Sequence, residues 1–319
     1  MKSRVLRFLG VLALPVALIL IFMVCAEGFG VHSLNIVLSQ SMIPAAMAFG
    51  MCLIMNTGMM DFSMGVRSVF AAMAGGMLAL RFGLAGMLLG CALGGMAGAL
   101  VMGALYRVLR IPAMVVSLGV VMVYEVIGAK LAGSTGYISI GAQLYSVASY
   151  PRNVIFVLAA GVVLYIISYK LKIGSHLIAV GNDELMCRNV GINTTGVKMS
   201  AFVLSGIFSS VAGLLYLCYS GSITASTGLG TMSLVFEPLM CVLIARVLRK
   251  LMDNMPLLIV IASISLSVIF NGFIAMGFSD AMQDVVLGTF MIAIMAYSGS
   301  ADKLREWRYR RKLRAQHSA

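Results

Sequence analysis

Side chains that commonly carry out chemistry are present in this sequence, but they are not grouped in catalytic or metal-binding patterns. No two cysteines share the CxxC spacing of a redox or metal site, and the three histidines are far apart in the chain. These residues are Cys25, Cys52, Cys91, Cys187, Cys218, Cys241, His32, His176 and His317. We find no catalytic triad, phosphate-binding glycine loop or paired-carboxylate motif in the sequence. The sequence therefore predicts no catalytic residue, no metal ion, no cofactor and no enzyme activity.

A polar interruption between two apolar runs is the first candidate functional site. Asp61 is flanked by Gly58 and Gly65 and is followed by Ser63. A carboxylate at membrane depth is costly and needs a partner or water, and a broken helix is tolerated where it lines a cavity. The four residues therefore predict a polar site at a helix break that takes part in translocation. A short loop in which Asp61 caps the next helix is the alternative.

The composition indicates which elements must position these residues. The hydrophobic fraction is 61%, the charged fraction is 11% and the mean hydropathy is +1.02, whereas soluble domains are about 25% charged. We therefore predict an all-α, polytopic membrane protein in which residues 1–319 form one transmembrane domain. Each crossing needs about 20 apolar residues. The ten predicted helices are about 8–27, 36–55, 63–81, 84–106, 112–131, 153–171, 199–219, 232–248, 255–277 and 282–299.

The distribution of positive charge predicts an orientation for these spans. If both termini are cytoplasmic, only Arg81, Lys130 and Arg152 of the 23 lysines and arginines fall on the outer side. Cytoplasmic segments carry such an excess. The sequence therefore predicts a bacterial inner-membrane protein with cytoplasmic termini, whose basic tail, 300–319, lies against anionic lipid. No nucleic-acid partner is predicted, because no soluble fold is available to carry a basic face.

A polar segment at 172–198 is the second candidate functional site. Gly181 and Gly191 bracket a stretch that could form one or two helical turns, and Asn182 or Asp183 could cap it. In a chain with so few polar segments, we expect this one to contact another protein. A plain solvated connector is the alternative.

Four glycines of the fourth predicted helix form a regular series. Gly86, Gly90, Gly94 and Gly98 recur every four residues and so lie on one helix face. Small residues at this spacing let another helix approach closely. We predict a helix-packing surface here, with a gate or sliding surface as the alternative.

Several short motifs, taken together, resemble one transporter family. The stretch Gly58–Gly65 resembles the G-[IM]-D-[LF]-S-x-G signature of ribose-type ABC-importer permeases, which include permeases for pentoses, galactose, inositol and autoinducer-2. Further matches, in order, are Arg110-Ile111-Pro112, Ser117-Leu118-Gly119, Gly181-Asn182-Asp183-Glu184, Gly191-Ile192-Asn193, Lys198 and Leu204-Ser205-Gly206. The resemblance covers roughly residues 40–240.

The resemblance implies an importer for a sugar or sugar-like solute. Two permease subunits would pair in the membrane, two ATPase subunits would dock from the cytoplasm, and a periplasmic binding protein would deliver the solute. The 181–193 stretch would be the segment that couples to the ATPase, with Glu184 at the family's acidic position. The coupling residues so implied are Gly181, Asn182, Asp183, Glu184, Arg188, Gly191 and Asn193.

One departure from the family leaves other hypotheses open. The family's glycine-rich stretch is replaced at 245–254 by a sequence that contains Arg246, Arg249 and Lys250. The subunit could therefore form a homodimer, or be one half of a heterodimer, or be a divergent partner that does not transport. An ion-coupled secondary transporter is a further alternative, and it would need intramembrane charge. The candidates for that role are Glu125, Glu237, Asp280 and Asp284.

Overall fold

The computed structural model describes residues 2–279 except 27, together with 282, 285–293 and 296. Its α-helices are α1 (Lys2–Cys25), α2 (Val31–Asn56), α3 (Met64–Leu109), α4 (Ala113–Ala132), α5 (Ala142–Tyr145), α6 (Arg152–Tyr165), α7 (Lys172–Asn182), α8 (Glu184–Asn189), α9 (Thr194–Ser220), α10 (Phe236–Leu248) and α11 (Met255–Ala275). A π-helical turn, Ile166–Lys170, extends α6, and a 3₁₀ helix, Gly230–Val235, precedes α10. Residues 285–293 are also helical.

The long helix α3 is a hairpin of two arms. Gly83 has non-helical dihedral angles, φ 58° and ψ −138°, which only glycine adopts readily. Past this turn, Gly90 lies against Ala74 and Gly98 lies against Arg67. The arms 64–82 and 84–109 are therefore antiparallel, and they correspond to the predicted spans 63–81 and 84–106.

The structure confirms the all-α, multi-pass class, and the predicted count of ten spans is approximate. Among the described residues, seven helical segments are long and apolar enough to cross a membrane, with the α3 hairpin counted once. Residues 10–25 of α1 form a shorter apolar helix. Part of the predicted span 282–299 lies outside the described residues, as does the predicted tail 300–319.

The centre of the bundle is formed by α2, α3 and α9, which pack along one another. Phe49 of α2 meets Phe208 of α9 edge to face, with ring centroids 5.9 Å apart, and both are fully buried. Large apolar side chains on the outside of α3 and α4 are exposed, among them Leu93 and Val123. Lipid is the solvent that suits this surface.

The two ends of the bundle differ in structure. After α4 and after α9 the chain forms two short antiparallel strands, β1 (Tyr137–Ser139) and β2 (Ser222–Thr224). At the opposite end, α7 and α8 precede the first residue of α9. Since α9 has 27 residues, these ends are about 40 Å apart at 1.5 Å per residue. We call them the strand end and the α7–α8 end.

Candidate functional site

Asp61 lies in the seven-residue break between α2 and α3 and is 1% exposed. Its Oδ1 accepts hydrogen bonds from the backbone N–H of Ser63 at 2.8 Å and from the Ser63 hydroxyl at 2.6 Å. Its Oδ2 accepts one from Nη2 of Arg67 at 2.5 Å. The carboxylate is thus both paired and hydrogen-bonded, which is what burial of a charge requires.

Arg67 joins this break to two other helices. Its side chain is fully buried, and its Nη1 donates to the hydroxyl of Ser205, near the middle of α9, at 2.8 Å. Its aliphatic part lies beside Gly98, near the middle of the second arm of α3. Among the described residues, nothing accepts from its Nε. The ion pair therefore lies at the level of the middle of two long apolar helices.

Gly58 in the break and Gly65, the second residue of α3, contact different parts of the bundle. Gly58, at φ 76°, lies next to Gly181 of α7, where a side chain on Gly181 would collide with the carbonyl oxygen of Asn56. Gly65 lies against the 3₁₀ helix, where an added Cβ would come within 2.7 Å of the carbonyl oxygen of Thr231. The break therefore contacts the α7–α8 end on one side and the 3₁₀ helix on the other.

Glu125, a residue of α4, binds the start of the same 3₁₀ helix through its carboxylate. It accepts from the backbone N–H groups of Leu229 and Thr231, each at 2.8 Å, and from the Thr231 hydroxyl at 2.7 Å. Backbone N–H groups at the start of a helix otherwise lack partners. Glu125 thus fixes the start of the segment that leads into α10.

A cavity of about 430 Å³ lies between α2, the last turn of α9, the 3₁₀ helix, the start of α10 and the last turns of α11. Polar and aromatic residues line it, and Glu237 is one of them. The 3₁₀ helix that Gly65 and Glu125 support forms part of its wall through Ser233 and Leu234. All these helix ends belong to the strand end of the molecule. Sequence analysis named Glu237 only as a possible coupling residue and gave no sign of the cavity.

The polar segment 172–198 is folded into two helices. Of the two predicted caps of the second helix, Asp183 is the one that accepts, from the backbone N–H of Met186 at 2.9 Å, whereas Asn182 is the last residue of α7. Gly191, at φ 85°, follows α8, and Asn193 accepts from the N–H of Gly196 at the start of α9. These short-range bonds give the segment a defined shape.

Charged side chains cluster beside α8. Nζ of Lys198 donates to Glu184 at 2.7 Å, and this hydrogen bond lowers the pKa of the Glu184 carboxyl below its usual value. Next to the pair is a depression of about 610 Å³, bordered by Arg107, Arg110 and Arg188. It is an open, positively charged recess at the α7–α8 end.

The four glycines of the predicted packing series all face the first arm of α3. A Cβ on Gly90 would lie 2.5 Å from the carbonyl oxygen of Ala74, and one on Gly94 would lie 3.0 Å from Cα of Ala71. Gly86 is packed in the same way against the carbonyl of Leu78, while Gly98 borders Arg67. The neighbouring Gly95, which the series does not include, packs against Ser210 of α9.

The stretch 245–254, where glycines were expected, ends α10 and turns towards α11. Nε of Arg249 donates to Asp253 at 2.8 Å in an exposed ion pair. Nη2 of Arg246 lies 3.5 Å from Oδ1 of Asn56, at the end of α2.

The fold defines a multi-pass membrane protein with a buried ion pair in its centre. The model of a permease family, described as branched-chain amino acid transport system / permease component, matches residues 33–295. The chain belongs to this family. The resemblance to ABC-importer permeases that the motifs indicate is thereby confirmed, and the chain is a membrane permease.

Similar curated proteins are autoinducer 2 import system permease proteins LsrC. Those of Yersinia enterocolitica serotype O:8 / biotype 1B and Yersinia pestis strain Pestoides F are each 28% identical over 208 residues, which is 63% of this chain. LsrC of Yersinia pseudotuberculosis serotype O:1b is 28% identical over the same length. The matched region spans 58% to 59% of these relatives. No solved structure matches the chain.

Proposed function

We propose that this chain is the membrane-spanning subunit of an ABC importer that moves a small polar, sugar-like solute across the bacterial inner membrane. The family match over residues 33–295 is the observation that carries the proposal. The relatives that are named for autoinducer 2 import support the direction of transport, and the resemblance to permeases for simple sugars supports a sugar-like solute. Separate ATPase subunits supply the energy, and a periplasmic binding protein supplies the solute.

The α7–α8 end is where we place the ATPase. The coupling element would be α8 together with Asp183 before it and Asn193 after it. A short helix that is fixed at both ends can transmit a displacement of the ATPase to the membrane helices. The arginine-lined recess beside it would receive acidic groups of the ATPase, since charge complementarity favours docking.

The α2–α3 break would connect the ATPase to the solute path. Gly58 touches α7, Gly65 touches the 3₁₀ helix of the cavity wall, and the Asp61–Arg67 pair holds the residues between them. A displacement of α7 would therefore reach the cavity through packed atoms. The roles proposed for Gly58, Asp61, Ser63 and Gly65 in translocation rest on this chain of contacts.

The predicted orientation places the α7–α8 end and both termini in the cytoplasm. The strand end, with β1, β2 and Arg152, would then face the periplasm and meet the binding protein. The basic residues of the tail, outside the described part of the chain, would lie against anionic lipid.

A second permease subunit would complete the transporter. The charged residues at 246–250 stand where the family's glycine-rich stretch is expected, so two unlike subunits could pair more readily than two like ones. A divergent subunit that does not transport is the alternative. Co-purification of differently tagged copies of this chain distinguishes a homodimer from a heterodimer.

The ion-coupled alternative keeps one candidate among the described residues. Glu125 already accepts three hydrogen bonds from the 3₁₀ segment, so it is not free to exchange an ion, whereas Glu237 lines the cavity. Asp280 and Asp284 lie outside the described residues. Deletion of the gene for this chain, or of its ATPase, should each abolish uptake of the same labelled solute if the importer proposal holds. Uptake that needs this chain but no ATPase would instead support the ion-coupled alternative.

A further inference from the structure

Among the carboxylates of the described residues, Glu237 differs from the rest. Asp61, Glu184 and Asp253 each pair with a cation, while Glu125 and Asp183 accept backbone N–H groups. Within the same part of the chain, no hydrogen-bond donor or cation meets the Glu237 carboxylate. Glu237 is half-buried and lines the 430 Å³ cavity at the strand end. A carboxylate with limited access to bulk water and no protein partner is satisfied by hydrogen-bond donors within the cavity, which are water or a solute.

Another part of the cavity lining carries a short hydrogen-bonded chain of polar side chains. Nδ2 of Asn271 donates to Oε1 of Gln40 at 2.6 Å, and Nε2 of Gln40 donates to the hydroxyl of Tyr219 at 2.9 Å. These bonds leave unused the carbonyl oxygen of the Asn271 side chain, the second N–H of the Gln40 amide and the hydrogen of the Tyr219 hydroxyl. The wall thus presents both donors and acceptors at fixed positions.

Pro44 adds a further acceptor to the cavity lining. It lies inside α2 and lines the cavity, and a proline cannot donate to the carbonyl four residues before it. That carbonyl belongs to Gln40, which also lines the cavity. One backbone oxygen of the lining therefore lacks its usual helical donor.

The volume and the remaining side chains fit a small ring-shaped solute. Small-molecule sites commonly measure about 300–1,000 Å³ and combine aromatic surface with a few placed polar groups. Here Tyr216, Tyr219 and Phe270 supply the aromatic surface. A hydroxyl group both donates and accepts, so a solute with several hydroxyls could satisfy the acceptors of Glu237 and the mixed donors and acceptors of Gln40, Asn271 and Tyr219 together.

We propose that this cavity is a solute-binding site within the permease itself, in which Glu237, Gln40, Asn271 and Tyr219 hold the hydroxyl groups of a neutral polyhydroxylated solute. The proposal rests on the importer function for the role of the site, but binding at the cavity needs neither ATP nor a partner. Glu237 accepts hydroxyl hydrogens, and the Gln40–Asn271–Tyr219 chain orients the ring.

The test is protection of a reporter cysteine in the cavity. Ser233 is exposed and lines the cavity, so Ser233→Cys, in full-length protein with Cys25→Ala, can be alkylated by a small neutral maleimide in membrane vesicles without ATP. Ribose, galactose, myo-inositol and autoinducer-2 are the probes, and sodium chloride, potassium chloride and alanine are the controls. We expect at least one hydroxylated probe to slow alkylation fivefold or more, and the controls to have no effect.

Substitutions then assign the effect to the named side chains. Glu237→Gln keeps the shape and removes the charge, and it should raise the half-protecting concentration at least tenfold. Tyr219→Phe removes one hydroxyl from a half-exposed ring and should raise the half-protecting concentration severalfold. This variant tests the site if Glu237→Gln does not fold. Asp253→Asn, the same carboxylate-to-amide change at the other end, should leave it unchanged.

Three results would overturn the site. The first is that sodium or a change of pH protects the cysteine while none of the polyols does. The second is that no probe protects it. The third is that the probes protect the Glu237→Gln variant as well as they protect the protein that retains Glu237. The importer function is tested separately. Wild-type uptake in cells that carry Glu237→Gln would contradict the binding site but not the importer function. Solute binding in the cavity without ATP-driven uptake would contradict the importer function but not the binding site.

Discussion

The carboxylate of Asp61 and the guanidinium of Arg67 form an ion pair in which neither side chain is exposed to solvent. Through Arg67, the pair is also bonded to Ser205 of α9. Removing one partner of a buried pair leaves a charge without compensation, whereas replacing both with apolar groups is often tolerated. The pair is therefore a point at which the break between α2 and α3 is locked to the bundle.

The first prediction concerns this pair. From the sequence alone, a polar site at Asp61 predicts that Asp61→Ala abolishes uptake at normal protein levels. The structure changes the second part of that prediction, because Arg67 would be left charged and buried. We expect a loss of about 3–5 kcal/mol in folding free energy, visible as a lower thermal midpoint and less folded protein. Fluorescence-detected size-exclusion after heating measures both.

A double substitution separates loss of charge pairing from loss of packing. Asp61→Asn with Arg67→Met should be less destabilised than either single change, because neither variant side chain carries a charge. Asp253→Asn breaks an exposed pair instead and should cost less than about 1 kcal/mol. A destabilisation of the double variant equal to the sum of the two single ones would show that the pair is not coupled.

The ion pair also illustrates what the sequence could and could not predict. The apolar runs placed the membrane spans to within a few residues, because each span must be long enough to cross the bilayer. The interruption at 56–65 identified Asp61 in the same way. Arg67 was counted only as a positive charge near a helix end, although an intramembrane carboxylate requires a partner and this arginine follows one helical turn after the break.

Features that depend on contacts between distant segments could not be predicted from the sequence. The cavity combines residues of α2, α9, α10 and α11, and no spacing along the chain relates Gln40 to Asn271. The pairing of β1 with β2 joins residues 137–139 to 222–224, and neither segment has the length or alternation of a predictable strand. From the sequence, Glu125 was a candidate coupling residue, because the backbone N–H groups that bind its carboxylate lie about 100 residues further along the chain.

The second prediction concerns the α3 hairpin. Gly90→Val would place a side chain where the carbonyl oxygen of Ala74 lies 2.5 Å from an added Cβ, so the arms must separate. We expect loss of folded protein in detergent extracts. Gly119→Ala is the matched control, because nothing lies within 4 Å of its added Cβ and alanine is favoured over glycine in a helix by about 1 kcal/mol. A stable Gly90→Val variant would contradict the close packing of the arms.

The third prediction concerns ATPase docking. Glu184→Arg combined with Arg188→Glu leaves opposite charges one helical turn apart on α8 but reverses the charges shown to a partner. It also breaks the Glu184–Lys198 pair, whose carboxylate is 45% exposed, at a cost of less than about 1 kcal/mol. Co-purification with the ATPase should fall at least tenfold, with the thermal midpoint of the permease unchanged. Arg152→Glu, at the strand end, should leave docking intact. Full docking of the α8 variant would make the segment a connector only, and unfolding of the variant would make it a structural element.

The fourth prediction concerns orientation. A cysteine at Ser175, exposed on α7, should react with a membrane-impermeant reagent only after the inner membrane is opened, and one at Ser139, exposed on β1, should react in intact spheroplasts. His317, in the tail outside the described residues, should behave like Ser175. Labelling of Ser175 or His317 from the periplasm would refute the predicted topology.

The central claim is that this chain carries out solute import driven by a separate ATPase. The most direct test is uptake of a labelled polyhydroxylated solute into proteoliposomes that contain this chain, its permease partner where there is one, the ATPase and the binding protein. We predict that uptake requires ATP on the side of the membrane to which the ATPase is bound. Uptake should stop when the ATPase is inactivated or when this chain is omitted. Uptake by this chain alone along an ion gradient, or unchanged uptake without it, would contradict the account.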